Sequence, residues 1–427
     1  MSQQSPPDLT LSTPKKGIPA RLAGIRAALS GFMALFMVAH FGTHVVGAML
    51  NPLLPMIRDD LSLSYTTAGL LVSIYSVIGG IAQLPAGWLA DRIGSRLLIL
   101  LSTSGVAIGG IMIGLSHSYG VLIVFLALTA LLTGGYHPSA SKAISLLTPP
   151  ERRGRALGLH LIGGTSSFWV VLLLVAPMAA AWSWRAPFII LSIPIILLGV
   201  ALFFLLGKRL KPSNEEQAPA ESGKPSESVG PSTIRWRVLL PFLILTVGTS
   251  MVTMSAAAYY SLYATDHLGV DPAQVVLLMG ITPFVGIFVA PLGGYLSDRF
   301  GAIPVVALSS LAAAPLIWAM SAVPNVAVFG VLLASIGIAN MLRAPSSETY
   351  FVVHVPAKRR GTILGIYFFS GAGIAGLMTP VAGRLIDTVG FGPTLIGAAI
   401  LQAVIAIVCA LLLRAAGDNG RSVQPAT

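Results

Sequence analysis

From residue 29 to residue 414 the chain repeats one pattern: a long apolar run, then a short polar or Gly/Pro interruption. A helix needs about 20 apolar residues to cross the hydrocarbon layer of a bilayer. Cutting at the interruptions predicts twelve such helices, spans 1 to 12, at about 29–57, 64–90, 96–116, 119–147, 155–180, 184–206, 236–265, 272–297, 303–322, 325–353, 361–387 and 391–414. The longest polar stretch, "GKRLKPSNEEQAPAESGKPSESVGPSTIRWR", lies between spans 6 and 7. Its Pro, Ser, Glu and Lys content marks a linker that buries too little apolar surface to fold. The pattern thus divides the chain into a tail 1–28, a bundle 29–206, a linker 207–235, a second bundle 236–414 and a tail 415–427.

Composition narrows the class. The chain of 427 residues is 55% hydrophobic and only 10% charged, against about a quarter charged in soluble domains. The expected fold class is an all-α membrane protein with twelve transmembrane helices in two six-helix bundles. A net charge of +11 raises nucleic acid as a partner, but the positions of the basic residues remove it. The loops "DRIGSR", "PPERRGR", "DRFG" and "PAKRR", the linker and both tails, with Arg237 and Arg414 at their borders, hold 21 of the 26 Lys and Arg residues. The alternate loops hold almost none, which places both termini and the linker in the cytoplasm of a multi-pass inner-membrane protein. The polar, basic start lacks an A-x-A-like cleavage site and reads as a tail before a retained helix. One cysteine, Cys409, excludes an intramolecular disulfide.

The halves repeat. "GWLADRIGSR" at 87–96 and "GGYLSDRFGA" at 293–302 each close a second span, and their aspartates, Asp91 and Asp298, are 207 residues apart. The same offset of 207 pairs Arg153-Gly154 with Arg360-Gly361, Leu157-Gly158 with Leu364-Gly365, and Pro138 with Pro345. One register held across several motifs implies two similar bundles related by an axis along the membrane normal.

These motifs resemble those of the major facilitator superfamily over essentially the whole chain outside the tails and linker. Gly87, Leu89, Asp91, Arg92, Gly94 and Arg96 are similar to the family's cytoplasmic loop pattern, with Ser95 departing at one basic position. The second copy keeps Gly294, Leu296, Asp298, Arg299 and Gly301 and loses the trailing basic residues. The resemblance implies a latch: Asp91 docks on orphan N–H groups at the start of span 11, and Asp298 on those at the start of span 5. Arg153 and Arg360 lie beside those helix starts, and nearby arginines lock the bundles together. Many proton-coupled drug exporters of the family carry an arginine within span 4 and a Gly-Pro-x-x-Gly-Gly motif in span 5. This chain reads "IVFLALTA" and "GLHLIGGTSSF" there. With "GGYHPSASK" and "NPLLPMIRDDLSLSYTTAGLL", it is more similar to fosmidomycin-resistance-type exporters.

Ionisable side chains inside a membrane cost roughly 2.5–3.5 kcal/mol each on insertion scales, so each needs a reason. In the family's fold, spans 1, 4, 7 and 10 line a central cavity, and the costly residues fall on them. His40 and His44 sit one turn apart on span 1, with Asn51 continuing the face. His137 on span 4, Arg343 on span 10, and Thr246, Thr249, Ser250 and Thr253 on span 7 fall at similar depth. At about 1.5 Å per residue this layer lies roughly 15–20 Å above the cytoplasmic boundary. A histidine exchanges protons near neutral pH, and an arginine fork suits a carboxylate or phosphonate. Arg343 is therefore expected to face a polar or anionic substrate, and His40, His44 or His137 to carry a proton. His160 on span 5 reads as packing or a gate. Lys142 and Glu348, nearer the cytoplasmic ends of spans 4 and 10, are expected to pair as an inner gate, or to snorkel separately. Tyr259, with Tyr260, Tyr263 and Phe36, is expected along an outer cavity; Arg384 snorkels or pairs with Asp387. Pro138, Pro283, Pro345 and Pro380 are expected bending points.

Chemistry other than transport finds little support. There is no phosphate-binding G-x-x-x-x-G-K-[ST] motif. His40 and His44 form an H-x-x-x-H pair without a nearby carboxylate, so neither a metal nor a cofactor nor an enzyme is expected. The reading is a monomeric secondary transporter of a small molecule, proton-coupled and working by alternating access. Export of a polar or anionic compound, proton-coupled uptake of an organic anion, and a non-transporting receptor stay open.

Overall fold

The computed structural model describes residues 32–148, 153–207, 235–355, 367 and 369–416. Within them the chain is helical, and eleven helices are long and apolar enough to cross a membrane. The start of span 11 lies outside the described residues; its visible part is a π-turn, Ser370–Ile374, running into the helix Ala375–Val389.

Several spans are broken helices, and the breaks have causes. Span 4 consists of Tyr119–Thr133 and Tyr136–Leu147, parted at Gly134-Gly135. A proline lacks an N–H and its ring collides with the carbonyl four residues back; for Pro138 that residue is Gly134. Span 8 breaks at Gly280 between Pro272–Met279 and Ile281–Phe300, and Pro283 acts there in the same way on Met279. Pro345, by contrast, sits inside the unbroken helix Val326–His354, and Pro380 inside Ala375–Val389. Span 7 divides into Trp236–Ala257 and Tyr260–Asp266 without a proline.

The doubled loop motif explains two of its glycines. Span 2 (Tyr65–Ile93) and span 3 (Ser95–Gly114) are joined by Gly94 alone, at φ 81°. Gly301, at φ 93°, likewise joins span 8 to span 9 (Ala302–Ala319). A one-residue reversal between two helices needs the left-handed backbone that glycine adopts without a Cβ clash. Gly294 differs: a Cβ there would meet nothing, whereas at Gly293 it would lie 2.8 Å from the Leu342 carbonyl of span 10. The close helix approach is made one residue earlier than the motif suggests.

How the core is divided positions the site. One apolar cluster runs through both bundles near the ends that the charge pattern places outside, from Met49, Leu53 and Ile57 to Tyr259, Tyr263, Phe329 and Phe391. Toward the other ends the bundles have separate cores. One gathers Phe36, Tyr136, Ile144 and Leu206; the other gathers Phe242, Val306, Tyr350 and Phe351. The bundles are therefore sealed together at their outer halves and individually packed at their inner halves. Large apolar side chains such as Leu84, Leu197, Phe288, Leu308 and Val331 stay exposed, which suits a surface facing lipid tails.

Candidate functional site in the membrane interior

Span 1 is the helix Phe32–Leu61, and its one-turn spacing places His40 and His44 together, their Nε2 atoms 3.2 Å apart. His137 enters from the second helix of span 4, with its ring centre 4.9 Å from His40 and 5.3 Å from His44. His160 of span 5 (Arg153–Ala181) stacks on His40 at 4.1 Å. Span 5 is not one of the family's cavity helices, so the sequence alone gives His160 no place in the cluster. The signal that would have found it is "LHLIGG": the glycines let span 5 close on span 1. A Cβ at Gly163 would lie 2.2 Å from the Met37 carbonyl oxygen, and one at Gly164 2.4 Å from the His40 ring.

The backbone fixes the tautomers of two of these rings. His40 Nδ1 lies 2.8 Å from the His160 carbonyl, and His160 Nδ1 lies 3.3 Å from the Phe36 carbonyl. A carbonyl only accepts, so both Nδ1 atoms carry the proton and both neutral rings hold their lone pair on Nε2. That of His40 faces His44; that of His160 is buried with no partner among the described residues. Tyr136 closes the cluster from below, buried and donating its hydroxyl to the Phe36 carbonyl at 3.2 Å. Phe36 is therefore part of the inner core and not of an outer cavity.

In the other bundle Arg343 is buried, with 8% of its surface exposed. Its Nη1 donates to the Thr246 carbonyl at 3.1 Å and to the Ser250 hydroxyl at 2.5 Å. No carboxylate pairs with it among the described residues. Arg343 lies eleven residues before His354, and His137 ten before Leu147, so counting along each helix puts both about 15 Å from the inner end. Ser250 and the Thr246 carbonyl are thus the partners span 7 supplies. Thr249 and Thr253 turn elsewhere: Thr249 donates to the Leu245 carbonyl at 2.6 Å and lies 3.3 Å from the Ser310 hydroxyl, and Thr253 donates to the Thr249 carbonyl at 2.8 Å. Both hydroxyls are thus satisfied within their own bundle, as buried Thr hydroxyls commonly are by a carbonyl one turn back.

The outer ends carry a network that sequence reading did not anticipate. Arg58 of span 1 grips Asp266 of span 7, and the Tyr65 hydroxyl donates to the same carboxylate. Asp387 of span 11 accepts from the N–H groups of Tyr65 at 3.0 Å and Thr66 at 2.9 Å, and from the Thr66 hydroxyl. It caps a helix of the other bundle instead of pairing with Arg384. Tyr259, 1% exposed, donates to the carbonyls of Thr379 at 2.7 Å and Tyr65 at 3.2 Å. Its hydroxyl ties span 7 to spans 2 and 11 within the outer closure, and its ring borders an apolar pocket of about 420 Å³ shared with Met251, Ala382 and Leu385. The Asn51 carbonyl accepts from Ser261 at 2.8 Å in the same closure, a turn and more beyond the histidines.

At the inner loops, the described arginines engage their own bundles. Arg96 donates to the Phe203 carbonyl at 2.7 Å and covers its ring. Arg92 lies over Trp88, and Arg299 donates to the Tyr295 hydroxyl at 3.1 Å; Asp298 is exposed. Among the described residues these contacts stay within one bundle. The side chains of Gly87, Asp91, Arg153 and Glu348, together with Arg360 and Gly361, lie outside what is described. The Asp91 latch and the pairing of Lys142, half-buried on span 4, with Glu348 lie outside it too.

The glycine contact makes a direct prediction. Gly163→Ala sets a methyl against backbone that cannot yield, and overpacking of this kind costs about 1–3 kcal/mol. The detergent melting temperature should fall, while Gly397→Ala, with nothing within 4 Å, should leave it in place.

Comparison with known proteins places the chain. The model of the Major Facilitator Superfamily matches residues 36–378. Multidrug resistance protein MdtG of Escherichia coli is 25% identical over 363 residues, covering 82% of this chain and 87% of that protein. The MdtG of Citrobacter koseri is 27% identical over 362 residues, with the same coverage of 82% and 87%. Among solved structures, a POT family transporter in complex with 5-aminolevulinic acid superposes with a TM-score of 0.76 at 14% identity, over 91% of this chain and 98% of that one. A bacterial homolog to the human lysosomal transporter Spinster, in an inward-facing and occupied conformation, gives 0.68 at 17% identity, over 95% and 99%. With two helical bundles, a polar interior and a sealed outer end already in view, the chain is a multi-pass membrane transport protein that belongs to the Major Facilitator Superfamily.

Proposed function

We propose that the chain is a proton-coupled exporter of a small polar or anionic compound. It works as a monomer in the inner membrane, by alternating access, with both termini in the cytoplasm. The observation that carries this reading is Arg343: a buried guanidinium held by one hydroxyl and one carbonyl, with no acid among the described residues. A buried cation without a counter-charge is costly, and an anionic ligand arriving from solution supplies the missing charge. The imidazole cluster of the other bundle, at similar depth, is where the proton loads. Closure of the outer ends supports loading from the cytoplasmic side, and the multidrug-resistance relatives, at 25% and 27% identity, support export.

The test joins binding to flux. A panel of carboxylates, phosphonates and neutral amphiphiles is screened for thermal stabilisation of the purified protein. Hits are then followed in liposomes under an imposed pH gradient, with a chelator present. Export predicts that a stabilising anion moves against the proton flow and that collapsing the gradient stops it. Movement with the proton flow would replace export by uptake, and stabilisation without flux would replace transport by a receptor.

A further inference from the structure

His40, His44 and His137 close on one another from two helices. Their ring centres are 5.0, 4.9 and 5.3 Å apart, and one ligand nitrogen from each lies within 4.8 Å of the others. The His40 and His44 Nε2 atoms are 3.2 Å apart. A tetrahedral zinc-like ion, with metal–nitrogen bonds of about 2.0–2.1 Å, holds its nitrogens about 3.4 Å apart and its imidazole centres roughly 5 Å apart. All three ring spacings and the span 1 nitrogen pair have those dimensions. The His137 nitrogen, within 4.8 Å of the other two, must draw closer to complete the set.

A second observation is independent of the spacing. The His160 carbonyl, 2.8 Å from His40 Nδ1, holds the proton on that atom and turns the Nε2 lone pair toward His44. Metal-binding histidines are oriented in this way, the distal N–H donating to a carbonyl or carboxylate that fixes the tautomer and raises the basicity of the ligating nitrogen. The sequence spacing alone did not suggest a metal, because His40 and His44 are two ligands of one helix; the third comes from span 4.

We propose that His40, His44 and His137 form a transition-metal site for a Zn²⁺-class ion. Three neutral imidazoles favour zinc, cobalt, nickel or copper over the hard cations magnesium and calcium, which take oxygen ligands. Three protein nitrogens also leave one tetrahedral position open to water or to an oxygen of a small ligand. A metal ion and a proton need the same lone pairs, so one displaces the other. This inference goes beyond the transport reading and does not depend on it.

Untagged full-length protein in detergent is titrated with Co²⁺, followed by its visible d–d absorption, and then with Zn²⁺ as competitor. One Co²⁺ per chain should bind with the intense bands of a tetrahedral centre, and Zn²⁺ should remove them. His44→Asn and His137→Asn should each weaken binding at least tenfold, and His44→Cys should restore it with a thiolate charge-transfer band. His117→Asn, in an exposed loop, should change nothing. Circular dichroism and a monodisperse elution profile establish that each variant is folded, and His137→Cys serves in place of any that is not. Equal Co²⁺ affinity in wild type and both Asn variants, or no stoichiometric binding by folded wild type, overturns the site. Because binding is read without a gradient and flux is read with a chelator present, failure of either proposal leaves the other standing.

Discussion

Arg343→Gln should abolish accumulation-driven export of an anionic cargo while leaving the protein at least as stable as wild type. The two halves of this expectation share one cause. Arg343 is 8% exposed and, among the described residues, its hydrogen bonds use Nη1, to Thr246 and Ser250. Removing one member of a buried, hydrogen-bonded charge pair costs about 2 kcal/mol or more, so the half-saturation concentration for an anionic cargo should rise at least about 30-fold. Without cargo, the same guanidinium is a buried charge lacking an acid among the described residues. Replacing it by a neutral amide removes that burden, and the melting temperature should hold or rise. Arg343→Lys keeps the charge but loses the planar fork, and should fall between the two. Transport by Arg343→Gln at wild-type rates and equal expression would sink the anion reading. A fall in melting temperature with matching loss of flux would instead make Arg343 a structural residue.

Much of the fold could be read from the chain because its signals are one-dimensional. Apolar run lengths are fixed by bilayer thickness, the basic loops by topology, and the repeat by a constant register. The histidines and Arg343 were legible for a related reason: an ionisable group inside a span is rare enough to stand out at any position. What escaped was decided by helix rotation. Thr249 and Ser250 are neighbours at the same depth, yet one faces Ser310 of its own bundle and the other Arg343. Only packing tells them apart. His160 was hidden because its helix touches the cluster only where Gly163 and Gly164 permit it. For Tyr259 the sequence leaves two roles open, because an aromatic ring suits both a cavity wall and a plug. Its hydroxyl reaches carbonyls of both bundles, and no single-chain periodicity encodes that.

Asp387→Ala should release the outer end of the transporter. Span 2 and span 11 run antiparallel against one another, and Asp387 stands at the C-terminal end of span 11. It is badly placed for its own helix dipole and well placed for its neighbour's: its carboxylate takes the Tyr65 and Thr66 N–H groups at 3.0 and 2.9 Å. Alternating access then requires that the outer cap break when the outer ends part. An N-cap of this kind contributes about 1–2 kcal/mol, more where the acceptor is charged. Its loss should shift the ratio of outward-open to inward-open molecules by about 5- to 30-fold. Spin labels at Ser118 and Ala322, exposed on opposite bundles near the outer face, read that ratio as a second, longer distance. Asp387→Asn keeps an acceptor oxygen and should shift it less. Asp266→Asn, which weakens the separate grip of Arg58, should add to the effect of Asp387→Ala, since both contacts act on one two-state equilibrium. A distance distribution unchanged in both single variants would show that the apolar seal around Tyr259 holds the outer face shut without either carboxylate.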